Sequence, residues 1–327
     1  MTSNPTLASR VRGSILGVAV TDALGGPVEF KKRGSFPLVT SFLPNANFGL
    51  PPGAWTDDTS MTLCLAESLI QNAGIYIPQT AIRAYIAWSE KGHLSSTDNC
   101  FDMGIATRTA LTAWSKFFTN NPSLSPSDHT AHLPGQAVID RLLKIPSSCG
   151  NGALMRVSPI ALVYHKDIHQ AEHVAALSAA PTHPYPTNAE ACVLYTRLLV
   201  RSLHGSGKTD LVQEVSSFAF EDEALKERFD GYDDLSSWQA KPSEAISSSG
   251  YVVHTLEAAL WAFFTTSTFR EGAVKVVNLG AVYGGLAGAF YGLEAIPSEW
   301  IEGLRKRGVV EGIAEELVKL ATNEGRR

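Results

Sequence analysis

Residues 57–70 read DDTSMTLCLAESLI, and the spacing of their apolar side chains is that of an α-helix buried along one side. Met61, Leu65 and Leu69 recur every four residues, which places them on one face of a helix with 3.6 residues per turn. Acidic residues in the first turn are favoured because the N-terminal end of a helix carries a partial positive charge. The stretch therefore predicts a helix that begins at Asp57 and packs against a core.

The same helical periodicity extends along most of the chain, whereas alternating β patterns are nearly absent. We therefore predict an all-α protein with many helices packed around one core. Loops are expected at 30–56, 119–133, 144–151 and 228–249. The last loop lies between amphipathic helices that each need a partner, so residues 1–327 are interpreted as one domain. Besides the stretch above, helices are expected near residues 7–19 and at 79–91, 102–118, 134–144, 166–179, 186–204, 208–218, 250–267, 270–279, 281–293 and 308–323.

The composition restricts the class of protein. With 327 residues, of which 44% are hydrophobic, the chain can bury a large core without disulfides. The net charge of −5 and the pI near 6.0 argue against general binding of nucleic acid, which requires clustered Lys and Arg. The four cysteines are far apart in the sequence, a pattern typical of free thiols in a reducing compartment.

Two segments bear on where the protein is found. The first twenty residues contain Arg10 and Arg12 and lack the apolar segment of a signal peptide. Residues 276–293 contain no charged side chain, and their number approaches the ~20 residues of a membrane span. Asn278 and five glycines reduce the hydrophobicity of this segment, so we interpret it as a core helix whose glycines allow close helix packing. The sequence thus predicts a cytoplasmic protein that binds no membrane.

Residues 53–60, GAWTDDTS, contain the sharpest signal for a site. The structural interpretation is that Thr56 or Asp57 caps the helix. The functional interpretation is that the Thr56 hydroxyl and the carboxylates of Asp57 and Asp58 bind Mg²⁺, because this ion prefers hard oxygen ligands. The full order of residues is much less expected by chance than an isolated pair of acids, and it favours the metal site.

Residues 13–25, GSILGVAVTDALG, are followed by Pro27 and Glu29. The pattern is typical of a helix with a glycine face that ends at a glycine cap. A buried Asp22 on this helix would require hydrogen-bond partners. Glu29 follows the cap directly and is free to point into a cleft.

Residues 147–156, SSCGNGALMR, form either an ordinary turn with left-handed Asn and Gly, or a nest of backbone N–H groups for pyrophosphate or ribose oxygens. Asp102 in the FDMG segment and His183 in the THP segment are residue types that more often serve as a helix cap and a core histidine than in catalysis. GSGKT at 205–209 lacks the first glycine of a phosphate-binding loop and follows a helix, so nucleotide hydrolysis of that kind is not expected.

Taken in order along the chain, these motifs resemble those of the ADP-ribosylglycohydrolases. This family includes the dinitrogenase reductase-activating glycohydrolase and the vertebrate ADP-ribosylhydrolases. The resemblance runs from about Arg10 to Trp300 and includes SGYVVHTLEAALW at 249–261. It implies a compact, single-domain orthogonal bundle of helices with a binuclear Mg²⁺ site at the base of an ADP-ribose cleft.

The resemblance also implies a role for each site residue. Thr56, Asp57 and Asp58 would bind metal. Glu29 and Asp102 would lie near the scissile ribose, and either of them could be the catalytic base. The residues expected to bind the distal ribose and diphosphate, or to form the pocket wall, are Ser148, Gly150, Asn151, Gly152, His183 and Tyr251.

One segment that the resemblance leads us to expect is missing. Family members carry an acidic D-x-D-T segment after an N-L-G, which supplies the other half of the metal site, whereas here NLG at 278–280 runs directly into Ala281. The gap reflects either a true deletion or residues omitted from the numbered chain. A true deletion would leave one Mg²⁺ or none, because ligands from one helix end cover one side only. It should also disturb the junction between the helices expected at 270–279 and 281–293.

The expected reaction is hydrolysis of the bond between ribose C1″ and a protein side chain, through an oxocarbenium-like state. The segments around Asp102 and Tyr251 favour arginine over serine as the modified residue. The expected partners are ADP-ribosylated proteins or ADP-ribose, and we expect a monomer. One alternative is a pseudoenzyme that binds ADP-ribose with an impaired metal site. Another is a structural role of the lens-crystallin kind, which the retained acidic residues and glycine loop disfavour.

Overall fold

Helices account for nearly all of the regular structure. The computed structural model describes residues 4–29, 31, 34–124, 130–277 and 280–322. Within these ranges there are α-helices, short 3-10 turns and isolated β-bridges but no sheet, which confirms the all-α prediction. In chain order the α-helices are α1 (Leu7–Gly25), α2 (Asp57–Gln71), α3 (Pro78–Lys91), α4 (Ile105–Asn120), α5 (Leu133–Leu143), α6 (Ser158–Tyr164), α7 (Ile168–Ala179), α8 (Pro186–Leu203), α9 (Lys208–Ser216), α10 (Glu223–Phe229), α11 (Leu235–Ala240), α12 (Val252–Phe264), α13 (Phe269–Lys275), α14 (Gly280–Tyr291), α15 (Ser298–Gly303) and α16 (Arg307–Thr322).

Each helix that the periodicity predicts is present, with shifted ends. The short helices α6, α10, α11 and α15 are additional, because six or seven residues do not display a full periodic pattern. Positions 278, 279 and 323, at the ends of expected helices, lie outside the described residues. Parts of the loops expected at 30–56 and 119–133 also lie outside them.

The prediction of one continuous loop at 228–249 was wrong, since α11 forms within it. Asp234 caps this helix by accepting a hydrogen bond from the backbone N–H of the third helical residue at 2.8 Å. Trp238 is fully buried, stacks on Tyr232 with ring centroids 3.8 Å apart, and contacts Phe264 of α12. Contact with a distant helix therefore holds the segment, and local periodicity does not report such contacts.

One large cluster of buried apolar side chains joins α1, α2, α8, α12 and α14. A smaller cluster around Trp114 joins α3, α4 and α5. The C-terminal end of α1, the N-terminal end of α2 and the N-terminal end of α14 meet at one side of the large cluster.

Helices α1 and α14 pack with their backbones in direct contact, because the facing sides are lined by glycine. A Cβ atom built on Gly17 would lie 2.2 Å from the carbonyl oxygen of Gly284, and one on Gly13 would lie 2.4 Å from that of Gly288. These distances exclude side chains at both positions of α1. Within the described ranges, no helix combines the length and apolar character needed to cross a bilayer.

Helix α14 begins at Gly280, directly beside the end of α1. A Cβ atom on Gly280 would lie 2.5 Å from the carbonyl oxygen of Thr21. Gly280 and Ala281 are consecutive residues of this helix. Helix α13 ends at Lys275, earlier than predicted, and residues 276–279 remain to connect the two helices. The junction at which a disturbance was expected includes positions 278 and 279, which lie outside the described residues.

Candidate active site

A single buried carboxylate joins the end of α1 to the start of α2. Asp22 accepts hydrogen bonds from the backbone N–H groups of Thr56 and Thr59 at 3.0 Å each, and from both threonine hydroxyls. Thr56 makes no capping hydrogen bond of its own. Because the first N–H groups of a helix lack partners inside it, Asp22 caps α2 from another helix. This contact fixes the position of the WTDDT segment relative to α1.

Five carboxylates share one region of buried space. Burial first, and then repulsion from Asp57 and further acids, raises the pKa of Glu29 to about 9. Burial, followed by the charges of Asp102 and Asp22, raises the pKa of Asp57 to about 7. Burial is also the largest cause of the raised pKa of Asp58. Without a cation, the cluster therefore holds protons at neutral pH.

The oxygen donors in this region are of the chemical kind that binds a cation. Among the described residues, the carboxylates of Glu29 and Asp58 have no hydrogen-bond donor and no ion-pair partner. The Thr56 hydroxyl donates its proton to Asp22 at 2.7 Å, which leaves an oxygen lone pair for another partner. One hydroxyl and two carboxylates are hard oxygen donors of the kind that Mg²⁺ takes. By the chemistry of their oxygen donors, Thr56, Asp57 and Asp58 are suited to a hydrated ion.

In the part of the chain that the structure describes, the α14 side of the cavity adds no charged ligand for a second ion. In that part of the chain, no group of three or more His, Cys, Asp or Glu side chains converges closely enough to hold a metal ion. Mg²⁺ retains several waters, so two carboxylates and a hydroxyl suffice for one ion, whereas a second ion needs carboxylates from another direction. On the α14 side, the cavity is lined by Val277, Gly280 and Val282, which carry no charge.

The 150–152 loop is fixed by bonds from both sides. The Asn151 N–H donates to the carbonyl of Gly250 at 2.9 Å. The Arg156 guanidinium donates to the carbonyl of Gly152 at 2.7 Å. None of the three loop residues has a positive φ, so the left-handed turn considered for this segment does not form. The loop presents a fixed backbone to the same space as the acids.

His183 packs against this loop. A Cβ atom on Gly152 would lie 2.6 Å from Cε1 of the His183 ring, whereas one on Gly150 would lie 3.6 Å from Nε2. Position 152 therefore needs glycine because the imidazole occupies the adjacent space. A larger side chain at position 152 would collide with the His183 ring.

Asp102 precedes α4 without capping it. The helix begins after Gly104 and has no side-chain cap, so the interpretation of Asp102 as a helix cap was wrong. Its half-buried carboxylate accepts a hydrogen bond from the adjacent N–H of Met103 at 2.8 Å. Asp102 and Met103 line two cavities, one of about 790 Å³ and one of about 330 Å³. The carboxylate thus stands at the edge of the larger one.

The cavity of about 790 Å³, here called the main cavity, brings most of the predicted site residues together. Tyr251 instead lines a neighbouring cavity of about 800 Å³, and Ser148 lines neither of these two. The predicted residues that line the main cavity are Glu29, Thr56, Asp57, Asp58, Asp102, Gly150, Asn151, Gly152 and His183.

Sequence reasoning did not assign roles to Asp22 and Arg156. The sequence feature that could have indicated a role for Asp22 is its charge on an otherwise apolar, glycine-faced helix. A carboxylate in such a place requires hydrogen-bond donors. Arg156 is fully buried, and no carboxylate among the described residues forms an ion pair with it. The sequence feature that could have indicated a role for Arg156 is an arginine four residues after Gly152 of the loop.

Comparison with known proteins identifies the family of this chain. The family model for ADP-ribosylglycohydrolase matches residues 3–327. A Pseudomonas putida (strain GB-1) protein named ADP-ribosylarginine hydrolase Tri1 is 31% identical, over 94% of this chain and 77% of its own. ADP-ribosyl-[dinitrogen reductase] glycohydrolase of Rhodospirillum rubrum is 26% identical over 92% of each chain. A solved structure described as an ADP-ribosylglycohydrolase-related protein complex is 33% identical, with coverage of 96% of this chain and 99% of that chain and a TM-score of 0.76. The chain belongs to the ADP-ribosylglycohydrolase family of glycosyl-bond hydrolases.

Proposed function

We propose that this protein hydrolyses the bond between ribose C1″ and the guanidinium group of an ADP-ribosylated arginine, with release of ADP-ribose. The observation that carries the proposal is that the carboxylate cluster and the 150–152 loop with His183 line one cavity. A reacting ribose and the remainder of an ADP-ribosyl group can therefore be bound side by side. The name of the Pseudomonas putida relative supports arginine as the modified residue.

The substrate would lie with its diphosphate and distal ribose along the 150–152 backbone. The fixed loop would offer the N–H groups of Gly150 and Gly152 at close range, since no side chain projects from either residue. The N–H of Asn151 already donates to the carbonyl of Gly250. The scissile ribose would then lie over the carboxylates. A volume of about 790 Å³ is within the range of small-molecule sites.

We assign the role of general base to Asp102 and that of the charge-stabilising carboxylate to Glu29. Cleavage builds positive charge on the ribose, which a nearby carboxylate stabilises. Asp102 stands at the edge of the cavity, where it can take a proton from the water that attacks C1″. The proton then passes to the departing guanidine. Burial raises the pKa of Glu29, so its ionised form requires a cation nearby.

Thr56, Asp57 and Asp58 would hold one Mg²⁺. When bound, the ion would supply the charge that keeps these carboxylates ionised and would orient the ribose hydroxyls. Asp22 would position one of these three residues, because it fixes Thr56 through two hydrogen bonds. We propose one ion and not two, and a slower reaction than in family members that retain the acidic segment.

A second candidate function is binding of ADP-ribose without hydrolysis. The observation that favours it is the uncharged side of the cavity formed by Val277 and by Gly280 and Val282 of α14. A substrate whose ribose is held from one side only would be less well oriented for attack. In both cases the ligand site is the same, so only a rate measurement separates them.

The cysteines bear on the compartment in which the protein acts. The four cysteines form no disulfide, which supports a reducing compartment such as the cytoplasm. We propose that the protein acts there as a monomer on ADP-ribosylated proteins. Sedimentation analysis of the purified protein would test the monomer.

The proposed reaction is tested by the release of free ADP-ribose from an arginine-ADP-ribosylated protein. Asp102→Asn should lower kcat at least a hundredfold, which is typical for loss of a general base. Asp140→Asn is the matched control, since Asp140 lies on α5 and bonds to Gln136. This control should stay within twofold of the parent. A parent that binds ADP-ribose but releases none would establish the binding function instead.

A further inference from the structure

A buried chain of three polar side chains ends at the main cavity. Arg156 donates through Nη2 to the Thr182 hydroxyl at 2.8 Å. The Thr182 hydroxyl lies 2.8 Å from Nδ1 of His183. All three side chains are at least 98% buried, with exposures of 1%, 0% and 2% in the order given. Such a chain constrains the direction of every hydrogen bond in it.

The direction follows from the number of protons available. A guanidinium group can only donate, so Thr182 Oγ1 accepts from Arg156. The threonine hydroxyl has one proton of its own, and among the described residues its remaining partner is Nδ1 of His183. If Nδ1 carried a proton instead, the Thr182 proton would be buried without an acceptor, at a cost of about 1–3 kcal/mol.

We infer that Arg156 and Thr182 are positioning residues that hold His183 as the neutral tautomer with its proton on Nε2, so that this N–H donates to an oxygen of the bound ligand. The inference rests on the proposed function for the identity of the ligand, which is the ADP-ribosyl group. The state of the ring in the free protein does not depend on that identity.

The position of Nε2 supports the role as a donor. A Cβ atom on Gly150 would lie 3.6 Å from Nε2, and one on Gly152 would lie 3.1 Å from it. This edge of the ring therefore faces the loop along which the diphosphate would lie. Within the described ranges, no protein acceptor bonds to Nε2. A buried N–H without a protein acceptor is completed by a ligand oxygen or water.

The same chain keeps the ring uncharged. Burial, and next the charge of Arg156, lower the pKa of His183 to about 3. Arg156 also donates to the carbonyl of Gly152 at 2.7 Å and lies over the Tyr85 ring at 4.7 Å. One buried cation therefore orients both the loop and, through Thr182, the imidazole. The tautomer is set by the hydrogen bond on the other ring nitrogen, as is general for histidine.

The tautomer can be measured directly in the unliganded protein. Two-bond ¹H–¹⁵N correlation spectra of ¹⁵N-histidine-labelled protein distinguish protonated from unprotonated ring nitrogens, and His183→Gln identifies the His183 signals. We expect an Nε2–H, Nδ1-acceptor pattern that is constant between pH 5 and 8. An Nδ1–H pattern, or protonation of the His183 ring within this pH range, would overturn the inference. This test requires no variant of Thr182.

The effect on the ligand is measured by calorimetry with ADP-ribose. Thr182→Val removes the hydroxyl at nearly constant volume, and we expect a mixed tautomer signal and a Kd raised at least tenfold. Thr182→Ser should restore both. Thr196→Val is the matched control, because the buried Thr196 hydroxyl has no partner among the described residues. This control should leave the tautomer and the Kd unchanged.

The outcomes separate this inference from the proposed function. A Kd within twofold of the parent for Thr182→Val would refute the donor role of His183. A parent that does not bind ADP-ribose would refute the proposed ligand, and with it the donor role, while the spectra of the free protein would still decide the tautomer.

Discussion

Replacing Asp22 by alanine tests whether one carboxylate holds the site together. Asp22 accepts from two backbone N–H groups and two hydroxyls at the start of α2. In Asp22→Ala the two hydroxyls can rotate to other acceptors, but the two N–H groups stay buried without one. Each unsatisfied N–H group lowers the free energy of unfolding by about 1–3 kcal/mol. Removal of one carboxylate also reduces repulsion among the remaining acids, which offsets part of this loss. We expect a net loss of about 3 kcal/mol in the free energy of unfolding.

For a chain of this length, such a loss lowers Tm by about 4 °C. The measurement is urea unfolding followed by circular dichroism, together with a thermal scan, both in EDTA. Ser60→Ala is the matched control, since the buried Ser60 hydroxyl bonds to a carbonyl of its own helix. It should cost at most about 1 kcal/mol. If the free energy of unfolding fell no further in Asp22→Ala than in this control, Asp22 would not be the cap of α2.

Three further changes probe the acids and the loop. Asp57→Asn combined with Asp58→Asn should abolish Mg²⁺ binding in calorimetry while the helical signal persists; unchanged affinity would rule out the proposed ligands. Gly152→Val should weaken ADP-ribose binding about tenfold, or ~1.4 kcal/mol, through the clash with the imidazole, whereas Gly150→Ala should have a smaller effect; equal affinities of Gly152→Val and the parent would contradict the loop geometry. With its pKa raised to about 9, folded Glu29 keeps a proton that the unfolded chain releases above pH ~4.5, so the free energy of unfolding in EDTA should fall as pH rises from about 5 to 9. Glu29→Gln should flatten this fall, and an identical slope in urea titrations would refute the assignment.

The long helices were predictable because their apolar side chains recur with the helical period. Helix α2 begins at Asp57 as its stripe of Met61, Leu65 and Leu69 predicts. Helix α11 was not predictable in this way, because it is held by Trp238 against Phe264 of a later helix. A stacking contact between distant segments leaves no periodic pattern in the sequence.

The residues of the site were easier to predict than their connections. The motifs indicated Asp57, Asp102 and His183 individually, and the structure places all three around one cavity. The capping of α2 by Asp22 joins residues 34 apart in the sequence, and no spacing rule predicts that bond. The same holds for the chain that runs from Arg156 to the imidazole. Hydrogen bonds between separate helices depend on the packing, which becomes visible only in three dimensions.

The most direct measurement is the initial rate of ADP-ribose release from an arginine-ADP-ribosylated protein as Mg²⁺ is titrated from zero to saturation. Because Thr56, Asp57 and Asp58 would hold one ion, we predict release that requires Mg²⁺ and follows a single-site saturation curve. The Asp57→Asn, Asp58→Asn protein should show no such response. Absence of release from the folded parent at saturating Mg²⁺, or an equal rate in EDTA, would contradict the proposal that this cavity is a magnesium-dependent hydrolase site.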